Sequence, residues 1–178
     1  MVAIDVGGGP RGALNVRPCD APAGRTRVLG VDPGTLRTGY GLIDVGAQGA
    51  IYYVACGVLQ AKGADHVERI NLICGDLKEL LDEFRPSAMA LELAYAGRNT
   101  ASALKLAEAR GAFRQTAFNA GLRVTEYGAN HVKRALTGRA RARKEEVMER
   151  MSHLFSFRSA PQEDAADALA LATCHATH

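Results

Sequence analysis

A short apolar run ending in a carboxylate constrains this chain more than any other stretch. In Arg27-Val28-Leu29-Gly30-Val31-Asp32-Pro33-Gly34, the residues Val28, Leu29 and Val31 form a buried strand with two β-branched members. Asp32 closes the run, and Pro33-Gly34 turns the chain at once. Thr38 to Val45 and Ala50 to Gln60 then read as two further strands, joined by the hairpin-length connection Val45 to Gly49. The chain therefore opens as an antiparallel meander with an acid held rigidly at the sheet rim.

Beyond the meander the spacing changes. Val67, Ile70, Ile73, Leu77, Leu80, Leu81 and Phe84 recur at helical intervals, and Arg85-Pro86 ends the helix predicted over residues 64 to 84. Ser87 to Glu92 is another short strand with an acid at its end. A helix over Asn99 to Asn119, a strand over Leu122 to Tyr127, and helices over about 129–137, 143–155 and 161–175 complete the order. This pattern predicts an α/β fold, a five-stranded mixed sheet with three antiparallel strands followed by alternating helices and strands, flanked by helices on both faces.

The 178 residues suffice for one well-packed domain, assigned to 27–178. Residues 1–26 hold few large apolar side chains after Ile4 and are expected to form a flexible N-terminal extension. The N-terminus lacks the basic-then-apolar order of a secretory signal, and no apolar run is long enough for a membrane span. Cys19, Cys56, Cys74 and Cys174 show no CxxC spacing, so reduced thiols and a cytoplasmic location are expected. Cys174, His175 and His178 do not by themselves make a complete ligand set and read as ordinary C-terminal residues.

The last helix adds two more acids. Ser159, Pro161 and Gln162 fit a capping box, with Ser159 as the cap. Asp164 and Asp167, three apart, project from one helical face about 5–6 Å apart. Acids in a first helical turn also complement the helix dipole, which is enough for Glu163. If the Asp32 and Glu92 strands are neighbours and this helix crosses their rim, the acids converge. Two like charges 4 Å apart repel by about 4 kcal/mol at an effective dielectric of 20, so such a cluster requires cations. The donors are hard oxygens, suited to Mg2+ or Mn2+. Two such ions about 3.5–4 Å apart can activate a water and stabilise the leaving oxygen of a phosphodiester.

The other polar features suit a nucleic acid. From His131 to Lys144 there are six basic residues (Lys133, Arg134, Arg139, Arg141, Arg143, Lys144) and no acidic one. Arginine alternates with small residues from Gly138 to Arg143, as in a mobile arm laid along phosphates. Tyr95 follows Glu92 closely enough to stack on an unpaired base near the acids. The helix over 99–119 is apolar on more than one side, consistent with a homodimer interface or with deep burial. An actin-like ATPase or sugar kinase would use a similar Asp-x-Gly turn, but normally needs a second domain and a second phosphate loop. A nuclease acting on RNA or an RNA–DNA hybrid, and a junction binder without chemistry, are the other readings.

Taken together, Val31-Asp32-Pro33-Gly34 with Thr38-Gly39-Tyr40-Gly41, Ala90-Leu91-Glu92, Ser102 to Leu106 with Ala109 to Ala112, and Asp164 to Ala170 resemble the RuvC-type Holliday junction resolvases. The resemblance covers about residues 27 to 176. It implies an RNase H-like fold and a homodimer that nicks two opposed strands of a four-way DNA junction, in recombination and repair. It implies Mg2+ as cofactor, with Mn2+ as a substitute, and the branch-migration proteins RuvA and RuvB as partners. Asp32, Glu92, Asp164 and Asp167 match the family's catalytic, metal-binding acids, although the Asp164 position is histidine in some members. Lys133 and Lys144 match functional lysines, and Tyr95 an aromatic in contact with junction bases. Leu93 departs from the glutamine common after the catalytic glutamate.

Overall fold

Side chains alternate across a strand, so one strand serves two helical layers. In the computed structural model, which describes residues 20–93 and 100–178, strand β1 (Thr26–Asp32) sends Leu29 and Val31 to one face and Val28 to the other. It pairs antiparallel with β2 (Arg37–Val45), which pairs antiparallel with β3 (Ile51–Gln60). On its other side β1 runs parallel to β4 (Ala88–Glu92), and β4 parallel to β5 (Arg123–Tyr127). The sheet order is β3-β2-β1-β4-β5, the mixed five-stranded sheet the sequence pattern predicts.

Helices α1 (His66–Phe84) and α2 (Thr100–Asn119) cover the Leu29/Val31 face, packing Ile73, Leu77 and Phe113 against it. Helices α3 (Ala129–Thr137), α4 (Lys144–Phe155) and α5 (Glu163–Ala176) cover the Val28 face with Val132, Met151 and Leu169. Between the layers, Arg27 is buried against Asp44, with Nε to Oδ1 at 2.8 Å, and also donates to the Phe84 carbonyl at 3.0 Å. That contact ties β1, β2 and the end of α1 together. Among the described residues, no helix is long and apolar enough to cross a membrane.

The meander connection is hairpin-length, as expected, and holds a short 3-10 turn, Ala47–Gly49, with Gln48 at φ 59°. One local expectation is corrected. The capping box expected at Ser159 does not form: α5 begins at Glu163, with Gln162 in the cap position and no side-chain cap bond. Pro161 biases Ala160 away from helix, and the Gln162 side chain is engaged elsewhere, accepting from Arg37 at 2.8 Å. A side-chain cap occurs instead at α1, where Asp65 accepts from the Glu68 amide at 2.8 Å.

Candidate active site

Strand parity decides which way the rim acids face. Val28, Gly30 and Asp32 alternate with Leu29 and Val31, and Ala90 and Glu92 alternate with Met89 and Leu91, so Asp32 and Glu92 share the face covered by α5. The parallel register pairs Val31 with Leu91, leaving Asp32 and Glu92 side by side at the strand ends. The turn after Asp32 is closed by Thr38, whose hydroxyl donates to the Gly34 carbonyl at 3.2 Å. From behind β4, Arg110 of α2 donates to the Glu92 carbonyl at 3.1 Å and to Glu126 at 2.5 Å.

Glycines of β1 and β2, Gly30, Gly39 and Gly41, let α5 lie close on this sheet. A Cβ at Gly30 would overlap the Ala168 carbonyl and approach the Ala172 amide to 2.7 Å. A Cβ at Gly39, the β2 partner of Asp32, would overlap the Asp164 carbonyl. Helix backbone thus lies on sheet backbone, helped by the buried small residues Ala165, Ala166 and Ala168. Asp164 and Asp167 arrive over Asp32 by main-chain contact.

The electrostatics record the convergence. Burial, a shared hydrogen bond with Glu92, and the charges of Glu92, Asp167 and Asp164 push the Asp32 carboxyl up to about 8. Burial also raises Asp167, opposed by the Lys144 ammonium 2.6 Å away. Burial alone would lower Lys144, but its bonds to Asp167 and Glu163 outweigh that and hold it above the usual lysine range. Asp164 is paired with Arg37 at 3.1 Å. Four carboxylates on three elements, all oxygen donors, fit hard divalent cations.

Beside them is a cleft of about 240 Å3 whose lining includes Glu92, Asp167, Lys133 and Lys144. Both predicted lysines therefore stand in the same recess as two of the acids. The arginines divide. The 138–143 segment is a structured turn rather than a loose arm, with Ala142 buried and its amide donating to the Arg139 carbonyl at 3.2 Å. Arg139 pairs with Glu146, Arg143 stands in the N-cap position of α4 with its amide donating to Glu146 at 2.9 Å, and Arg141 is exposed. Tyr95 lies outside the described residues. Arg37 and Arg110 were not singled out from the sequence as site residues, since their carboxylate and carbonyl partners lie far along the chain.

Residues 28–175 match the family model for crossover junction endodeoxyribonuclease RuvC. The chain belongs to the RuvC family. Its relatives include the RuvC proteins of Pseudomonas entomophila, 42% identical over 85% of this chain and 86% of that protein, and of Halorhodospira halophila, 44% identical over 86% and 91% respectively. It is also similar to Thermus thermophilus RuvC solved in complex with a Holliday junction substrate, at TM-score 0.80 and 34% identity, covering 85% of this chain and 93% of that one. The five-stranded sheet with helices on both faces is the RNase H-like architecture of the RuvC family.

Proposed function

We propose that this protein resolves four-way DNA junctions, nicking two opposed strands in a Mg2+-dependent reaction for which Mn2+ can substitute. The observation that carries the reading is the gathering of Asp32, Glu92, Asp164 and Asp167 at one rim, where burial first and the neighbouring carboxylates second push Asp32 up to about 8. Those four residues would hold the cations, which supply an activated water and stabilise the leaving oxygen of the phosphodiester. The chain's own contribution is placement and charge. The Asp32–Glu92 pair gives a rigid rim, and the glycine seam fixes the α5 acids above it. Lys133 and Lys144 offer ammonium groups to a phosphate entering the cleft. Arg139, Arg141 and Arg143 are assigned to the phosphate backbone, Arg139 on release from Glu146, and Tyr95 to base stacking.

A homodimer supplies the second cut. On α2, Leu104, Ala107, Gly111 and Phe118 form an exposed stripe at intervals of three, four and seven residues, with Leu104 67% and Phe118 74% exposed. Such a stripe suits a two-fold partner, which places two identical sites on two strands. RuvA and RuvB are the expected partners in junction processing, in the cytoplasm. The test offers the full chain a synthetic four-way junction, linear duplex and RNA–DNA hybrid, each with Mg2+ or EDTA. Symmetric nicks confined to the junction with Mg2+ are expected, and Asp32→Asn should abolish them while sparing binding. Cleavage of the hybrid in preference to the junction would overturn the reading.

A further inference from the structure

The far end of α5 carries chemistry that strand cleavage does not use. Cys174 is fully buried there, and His175 and His178 follow it. The fold adds a member from a distant stretch: β5 ends beside this point, and the first turn of α3 brings in His131. The Nε2 atoms of His131 and His178 are 2.7 Å apart. Ligand atoms of His131, Cys174 and His178 all lie within 4.8 Å of one another. Tyr127 packs against the group, its ring 5.4 Å from His131 and 5.7 Å from His178, centre to centre.

The hydrogen bonds assign the ring tautomer. The Cys174 carbonyl can only accept, so His178 Nδ1, 2.8 Å away, donates to it. When neutral, that ring presents its lone pair at Nε2, toward His131. A carbonyl holding one ring nitrogen while the other faces a ligand position is the usual support of a metal-bound histidine. Without a cation, a proton on His131 Nε2 bridges the two rings; a metal at that nitrogen requires the other neutral tautomer, with the His131 proton on Nδ1. A tetrahedral ion would separate two imidazole nitrogens by about 3.3 Å, so the rings must open by roughly 0.6 Å. Both are exposed side chains with room to do so.

We propose that His131, Cys174 and His178 form a second metal site, for a borderline-soft divalent cation such as Zn2+, with a water completing the tetrahedron. One thiolate and two imidazoles are the donors such an ion prefers, whereas the carboxylate rim suits hard cations. Burial pushes the Cys174 thiol up to about 11, so binding releases its proton to solvent as the metal–sulfur bond forms. Cys174 lies seven residues beyond Asp167, about 10 Å along the helix, so this ion takes no part in strand cleavage. It would instead fasten α3, which carries Lys133, to α5, which carries Asp164 and Asp167.

The experiment titrates Co2+ into the metal-free full chain under a thiol-protecting reductant. One equivalent should give tetrahedral d–d bands and a thiolate-to-cobalt charge-transfer band, both bleached by Zn2+. Cys174→Ser should remove the charge-transfer band. His131→Ala and His178→Ala, at exposed positions, should each weaken Co2+ binding at least tenfold while leaving the fold intact by circular dichroism. Asp32→Asn should leave the bands unchanged, which separates this site from the carboxylate rim. A wild-type protein without the charge-transfer band would overturn the proposal. So would a band that survives Cys174→Ser.

Discussion

The burial of Asp32 among neighbouring carboxylates at the rim should be measurable as a stability defect in the metal-free protein, relieved by Asp32→Asn. Asp32 titrates near 3.8 in the unfolded chain and at about 8 when folded. Because the folded value is raised, the folded state holds the extra proton above about pH 4. Metal-free stability therefore falls as pH rises from about 4 toward 8, then levels off. With about 1.36 kcal/mol for each tenfold change in proton affinity, the ceiling at pH 7.5 is about 5 kcal/mol. The rim is partly open to water, which lowers this to roughly 2–3 kcal/mol, or about 5–10 °C in melting temperature for a chain of this size. An asparagine keeps a hydrogen-bond donor toward Glu92 and carries no charge. In EDTA the variant should melt above wild type at pH 7.5, and the two curves should converge near pH 4. Adding Mg2+ should stabilise wild type and leave the variant nearly unchanged. Matching melts for the two proteins across this range, or a wild type indifferent to Mg2+, would refute the claim that these side chains converge.

Other outcomes follow from single contacts. Gly39→Ala should abolish junction cleavage in a nicking assay and cost at least 1–3 kcal/mol, because its methyl group meets the Asp164 carbonyl rather than a movable side chain. Asp44→Ala should cost about 3–5 kcal/mol in denaturant unfolding, since it strips the carboxylate from an arginine that is only 1% exposed. Arg141→Ala should weaken junction binding at low salt and make the slope of log affinity against log salt shallower by about one; an unchanged slope would remove Arg141 from the phosphate contacts.

Much of the site was legible because strands enforce parity. Once Val28 to Val31 and Met89 to Leu91 are taken as interior strands, the positions of Asp32 and Glu92 at their ends follow from alternation and chain direction. The three-residue spacing of Asp164 and Asp167 likewise needs only a helix. The start of α5 was misread, since the local Ser159 signal competes with a contact between Gln162 and Arg37, 125 positions away in sequence. Arg110 against Glu92, and His131 against His178, were illegible for the same reason: each depends on how helices dock, which local spacing does not encode. The exposed Arg141 and the tied Arg139 look alike in the sequence, and only Glu146 tells them apart.

The glycine seam under α5 has a consequence for how this protein can tolerate change. Because Gly30 and Gly39 meet helix main chain directly, no rotamer stands between the sheet and the acids. Ile73 and Leu77 pack on the opposite face of the sheet from α5, so substitutions there do not act on the seam that sets Asp164 against Asp32. The reacting geometry is thus insulated from ordinary drift in side-chain volume on that face, and its tolerance is confined to a strip one atom deep.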